Sequence, residues 1–203
     1  SSLVPYDKKY FWPLLYFKGF YQSERFFADM ADDIRKAFTF NPSLSNRKTK
    51  EMSEQIDHDE NAVSIHVRRG DYLEPKYWKT TGCVCQLPYY LNAIAEMNKR
   101  ISQPSYYVFS DDIAWVKENL PLPKVFFIDW NKGTESWQDM MLMSRCRHHI
   151  ICNSTFSWWG AWLNPRENKT VIMPERWFRH CETPDICPDK WIRVPINQPD
   201  SIQ

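Results

Sequence analysis

Beyond residue 60 the chain repeats one pattern: a short apolar run, a polar cluster, then a stretch whose apolar residues recur at helical spacing. The runs are Ala62 to Val67, Tyr106 to Phe109, Val125 to Ile128, Ile150 to Cys152 and Val171 to Met173. Runs of this length bounded by polar residues predict strands, and their alternation with helical segments is the α/β signature. Pro88 opens the first intervening helix, which extends to about Arg100, and Ser110 and Ser136 stand where N-caps belong for the next two. The expected architecture is α/β, a doubly wound parallel sheet.

Upstream the pattern differs. Leu3 to Phe40 is aromatic and charged, and Ser23 to Phe38 predicts one amphipathic helix with Phe26, Phe27, Met30, Ile34 and Phe38 on one side. Asn41 to Glu60 is polar and charged without periodicity, which reads as a linker or exposed loop. A boundary is therefore expected between a helical appendage with its linker, 1–60, and an α/β domain, 61–203.

In such a sheet ligands bind outside the carboxyl ends of the strands, so the clusters after each run are the ones to read. They are Arg68-Arg69-Gly70-Asp71, Ser110-Asp111-Asp112, Asp129-Trp130 and Asn153-Ser154-Thr155. His66 and Arg68 share a strand face, and two adjacent guanidiniums form a compact cationic site suited to a diphosphate. The same arginines could instead pair with Asp71 and other carboxylates, and the string alone does not choose. Ser110-Asp111-Asp112 lacks the Asp-x-Asp spacing of a metal-held diphosphate, so no metal is assigned. Asp139 fits an S-x-x-D capping box with Ser136, yet it also shares a face with Leu142, Met143 and Cys146. A carboxylate facing a core demands donors, and a guanine edge offers two adjacent N–H groups. The hydroxyls of Ser154, Thr155 and Ser157 precede a helix and could cap it or hold a phosphate. Trp158, Trp159 and Trp162 are assigned to packing, with Gly160 allowing close approach. For a general base, Asp71, Glu74 and His66 are the candidates, Asp71 first.

Composition narrows this only by exclusion. With 26 basic and 25 acidic side chains in 203 residues, the net charge of +1 points to no nucleic-acid or membrane partner. Anion binding must come from local arginines. No apolar run approaches the roughly 20 residues of a membrane helix. The six cysteines lack paired CxxC units, so structural zinc is not expected. Cys146 and Cys152 lie in apolar surroundings that favour buried thiols, whereas Cys181 and Cys187 are the pair expected to bridge if the protein is exported.

These residues resemble the bacterial α-1,2-fucosyltransferase family. The likeness runs through GFYQSERFF at 19–27, VSIHVRRGDYL at 63–73, VFSDDIAWVKENL at 108–120, DMMLMSRCRHHIICNSTFSWWGAWLN at 139–164 and VIMPERWF at 171–178. HxRRGDY followed by NSTFSWWGAW is more specific than either alone. The H-x-R element is also similar to one shared by α-1,6- and protein O-fucosyltransferases. The resemblance implies a GT-B-type enzyme whose Rossmann-like half binds GDP-fucose as donor substrate, with no cofactor and a galactoside or oligosaccharide as acceptor. It implies Arg68 on the diphosphate with His66 and Arg69 beside it, and Asp139 on the guanine. Ser154, Thr155, Phe156 and Ser157 would line the pocket. It further implies a bacterial cytoplasmic location, with peripheral membrane association left open. The family's Gly-rich amino-terminal loop has no counterpart among the isolated glycines 19, 70, 82, 133 and 160, so an amino-terminal part is expected to be missing. A GDP-sugar-binding module without transfer activity is the alternative.

Overall fold

The computed structural model describes residues 23–78 and 80–197. The first part of the aromatic stretch Leu3 to Phe40 and the last six residues of the 61–203 unit lie outside the described residues. Among the described residues six strands form one parallel sheet: β1 Ala62–Val67, β2 Ser105–Ser110, β3 Val125–Ile128, β4 His148–Ile150, β5 Val171–Pro174 and β6 Ile192–Val194. Their order is β3-β2-β1-β4-β5-β6. The chain therefore builds outward from β1 in one direction, then crosses back and builds outward in the other. The reversal falls between β1 and β4, the topological switch point at which such sheets hold ligands.

Both faces of the sheet are covered, which explains why its strands read as nearly continuous apolar runs. On one face, Val63, Ile65 and Val67 join Tyr106 and Val108 under the helix α3, Leu87–Arg100, whose buried side is Tyr89, Tyr90, Ala93, Ile94 and Met97. On the other face, Ala62, Tyr107 and Phe109 pack with Leu142, Met143 and Cys146 around α5, Trp137–Arg145. Full burial of each Val, Ile, Leu, Met or Phe among these stabilises by roughly 1.5–3 kcal/mol. Because strand side chains alternate, Ser64, His66 and Arg68 fall on the α5 face. Helix α6, Thr155–Leu163, lies against α5 there, and a Cβ at Gly160 would come within 2.9 Å of the Met143 Cβ. The close approach expected at Gly160 is real.

Several elements depart from the expectations. Ser23 to Phe38 is two 3-10 turns, Glu24–Phe26 and Ala28–Met30, followed by the short α1, Ala31–Ala37. Its apolar side splits: Phe27 stacks on Trp159 with centroids 5.6 Å apart, whereas Met30 is 55% exposed. Residues expected as a polar linker instead contain α2, Arg47–Asp57, capped by Asn46, whose Oδ1 accepts from the Thr49 N–H at 2.9 Å. Its buried positions are Thr49, Ser53 and Ile56, so two of three are small polar residues and the helical period is hidden. Strand β2 starts at Ser105, one residue early, and β4 ends at Ile150, where the expected run began. Strand β6 was not expected, because the exposed Arg193 at its centre breaks the apolar run. The cap of α4, Ile113–Asn119, is Asp112 rather than Ser110. Ser110 bonds one step earlier, its Oγ accepting from the Asp112 N–H at 2.9 Å. All six cysteines are free, Cys146 and Cys152 fully buried, and Cys181 and Cys187 unbridged. Among the described residues no helix is long and apolar enough to cross a membrane.

Candidate active site

At the carboxyl edge of β1, β2 and β3 lies a cleft of about 570 Å³. Two walls of unlike chemistry define it, one from the loop after β1 and one from the loop entering α5.

The first wall is built on Arg68, the residue directly after β1. Its Nε donates to Asp71 Oδ1 at 3.0 Å and its Nη2 to Asp71 Oδ2 at 2.8 Å, a two-point clamp across a 3-10 turn, Asp71–Leu73. The guanidinium also lies over the Tyr72 ring, 4.8 Å from its centroid. The clamp uses one edge of the guanidinium and leaves Nη1 outside it, on a residue that lines the cleft. The bond from Arg68 pulls the Asp71 carboxyl below its ordinary range, and the bond from Asp71 pushes the Arg68 pKa up, so both stay ionised at neutral pH. Behind them, Asp111 accepts the backbone N–H groups of Arg69 at 2.9 Å and of Gly70 at 3.1 Å. That carboxylate sits so close that a Cβ on residue 70 would meet Asp111 Oδ2 at 2.8 Å and would have to push it aside. Arg69 turns away: its Nε donates to Asp112 Oδ2 at 3.1 Å and its guanidinium covers the Trp115 ring at 4.0 Å. Both arginines thus make the carboxylate pairing that the sequence left open, Arg68 with Asp71 and Arg69 with Asp112, and they differ in what else they touch. Arg68 faces the cleft, and Arg69 belongs to an ion pair that fastens the loop to α4.

The second wall is Asp139 on the first turn of α5, with Asn131, Lys132 and Gly133 before it. Burial pushes the Asp139 carboxyl up to about 7, opposed by the bond it accepts from Asn131. That bond, Asn131 Nδ2 to Asp139 Oδ1, is 2.8 Å. The capping-box alternative is not realised: only the Asp139 backbone N–H reaches Ser136, through its carbonyl at 3.0 Å. Asn131 is itself held from α2, its Oδ1 accepting from Asn46 Nδ2 at 2.8 Å and Thr49 Oγ1 at 3.1 Å. A polar chain from α2 through Asn131 therefore orients one oxygen of Asp139 and leaves the other for the cleft.

The floor is His66 with Phe156, their ring centroids 5.7 Å apart. Burial first and Arg68 second lower the His66 pKa to about 3, so the ring is neutral at pH 7. The residues beside Phe156 point elsewhere. Ser157 is buried and its Oγ donates to the Ser154 carbonyl at 3.2 Å. Ser154 is buried at the cap of α6 with no side-chain capping bond. Thr155 opens on a separate cavity of about 60 Å³ beside Phe27, Trp158 and Trp177. Trp158 and Trp162 are core, as expected, with Trp158 Nε1 donating to the Ile186 carbonyl at 2.9 Å.

A family model, described as glycosyl transferase family 11, matches residues 5–194. The chain belongs to glycosyl transferase family 11. It is 38% identical over 182 residues to an α-1,2-colitosyltransferase of Escherichia coli, covering 88% of this chain and 62% of that protein. Identity is 33% over 179 residues to the O-antigen biosynthesis glycosyltransferase WbnK of Escherichia coli, covering 87% and 59%. It is 31% over 160 residues to galactoside alpha-(1,2)-fucosyltransferase 1 of Ateles belzebuth, covering 74% and 43%. The chain thus spans less than two thirds of the length of each of these relatives.

Within this family 11 chain, the residues chosen from sequence sort by geometry. His66, Arg68, Asp139 and Phe156 line the cleft together. Asp71 backs Arg68 from outside the lining, Arg69 bonds to Asp112, and Ser154, Thr155 and Ser157 sit off the cleft. Asn131 and Lys132 line it and were missed. Asn131 follows Asp129-Trp130, a cluster already read as a strand end, so one further residue of that loop would have included it.

Proposed function

We propose that the cleft binds GDP-β-L-fucose and that the protein transfers L-fucose, with inversion, to a hydroxyl of a galactoside, forming an α-1,2 linkage. Arg68 carries this reading: a guanidinium held at the switch point by Asp71, with N–H groups left over, is preorganised for a diphosphate. Asp139 across the cleft supplies a carboxylate for the two N–H donors of guanine. The names of relatives specifying α-1,2 transfer of colitose or fucose support the linkage.

In the proposed reaction the acceptor oxygen attacks the anomeric carbon as its bond to the diphosphate breaks. The bonding electrons leave with GDP and the hydroxyl proton passes to a base. Charge grows on the leaving diphosphate, where Arg68 stabilises it without rearrangement. Asp71 does not serve as that base in this reading, since both its oxygens accept from Arg68.

The same observation favours a second reading, a GDP-sugar-binding module without transfer activity. Incubation with GDP-fucose and lactose, followed by mass spectrometry, separates the two. Fucosyl-lactose is expected, and a rate that falls in Arg68→Ala at saturating donor. GDP binding without product would select the module, and an unchanged Arg68→Ala rate would remove Arg68 from the mechanism.

A further inference from the structure

Beneath Arg68 the cleft floor contains a pairing that diphosphate binding does not account for. Cys152, just after β4, is fully buried, and its Sγ lies 3.2 Å from His66 Nδ1 at the end of β1. On its other side the sulfur is 3.9 Å from Ser157 Oγ. Ser157 directs its hydroxyl hydrogen to the Ser154 carbonyl at 3.2 Å, so it has none for the sulfur. The thiol's own S–H then faces two acceptors, His66 Nδ1 at 3.2 Å and Ser157 Oγ at 3.9 Å, and the nearer one is the imidazole nitrogen. An imidazole nitrogen is a good acceptor, whereas sulfur is a weak one, so the bond is S–H to N rather than N–H to S. Burial agrees, pushing the Cys152 thiol up to about 12 and His66 down to about 3, which keeps both groups neutral.

We infer that Cys152 is a positioning residue: its thiol donates to His66 Nδ1 and holds the ring with Nε2–H toward the cleft, as a donor to an oxygen of the bound nucleotide. The last clause rests on the GDP reading above; the Cys152–His66 bond does not. On this arrangement His66 has no lone pair facing the cleft and does not accept the acceptor's proton. The packing of the two strand ends accounts for the choice of a thiol. Cysteine supplies a donor that is small and tolerates full burial at the point where β1 and β4 diverge.

The test uses ring-15N-labelled histidine and long-range 1H–15N correlation, with His66 assigned by the signal lost in His66→Gln. The expected pattern is protonated Nε2, with Nδ1 displaced as a hydrogen-bond acceptor. Cys152→Ser keeps that displacement, and Cys152→Val releases it. In calorimetry with GDP, Cys152→Val should weaken binding about tenfold and Cys152→Ser about threefold or less. His66→Gln, which places an amide N–H near Nε2, should bind better than His66→Asn. A protonated Nδ1, or an Nδ1 resonance unmoved by Cys152→Val, overturns the pairing. GDP affinity equal in Cys152→Val and wild type overturns the positioning role. If wild type binds no GDP, the nucleotide reading fails, and the correlation pattern still decides the Cys152–His66 bond.

Discussion

The two walls of the cleft present charge in opposite ways. On the β1 side, Arg68 and Asp71 fix each other in the ionised state by a two-point bond, part exposed to solvent. On the α5 side, Asp139 is more deeply placed, faces no cation in its bonding, and has its ionisation near pH 7. One wall is a permanent charge and the other a titrating one. Their difference teaches that diphosphate grip and base recognition should respond separately to mutation and to pH.

The largest expected effect comes from breaking the permanent wall. Charge-assisted hydrogen bonds contribute roughly 1.5–3 kcal/mol each, so Arg68→Ala should weaken GDP binding by about 30-fold or more in calorimetry. Arg68→Lys, which cannot grip Asp71 and phosphate with one planar group, should recover only part of it. Equal loss of GDP and of guanosine affinity would show that the wall does not act on phosphate.

Next comes the titrating wall. If guanine requires the Asp139 carboxylate, GDP affinity should fall about tenfold between pH 8 and pH 6, and Asp139→Asn should flatten that profile. The same group leaves an imprint on stability. Its folded pKa is raised above the unfolded value of 3.8, so ionised Asp139 destabilises the fold above about pH 7, and the cost fades as pH falls toward 3.8. Asp139→Asn should therefore raise the melting temperature at pH 8 and leave it nearly unchanged at pH 4.

The smallest effect sharpens the boundary between grip and base. Asp71→Asn keeps one acceptor for Arg68 and loses the ion pair, so GDP affinity should fall about three- to tenfold. Loss of turnover with unchanged GDP affinity would make Asp71 a base rather than a clamp.

How much of this was legible depended on where the physical information resides. The five runs beyond residue 60 announced the parallel sheet because burial on both faces demands apolar residues at nearly every position. The β1 wall was legible because Arg68 and Asp71 are close in sequence and bond to each other within one turn. Its division of labour was not, since Arg69 is turned by Asp112 and Trp115, more than 40 residues away. The α5 wall was half legible. Asp139 could be picked out as a carboxylate on an apolar face, but its partner Asn131 is positioned by Asn46 and Thr49 of α2, a helix whose polar buried side removed its period. Thr155 and Ser157 were read as cleft residues because a helix start can hold phosphate. The turn after Cys152 instead sends Thr155 to the neighbouring cavity and Ser157 inward, leaving Phe156 alone in the cleft.

The central claim is that one cleft reads phosphate on one wall and guanine on the other. Calorimetric titration of the protein with GDP and UDP at pH 8, repeated with Asp139→Asn, tests it most directly. The account predicts GDP binding at least about tenfold tighter than UDP in wild type, and a much smaller difference in the variant. Equal affinity for the two nucleotides in wild type, or a preference for GDP that survives Asp139→Asn intact, would contradict it.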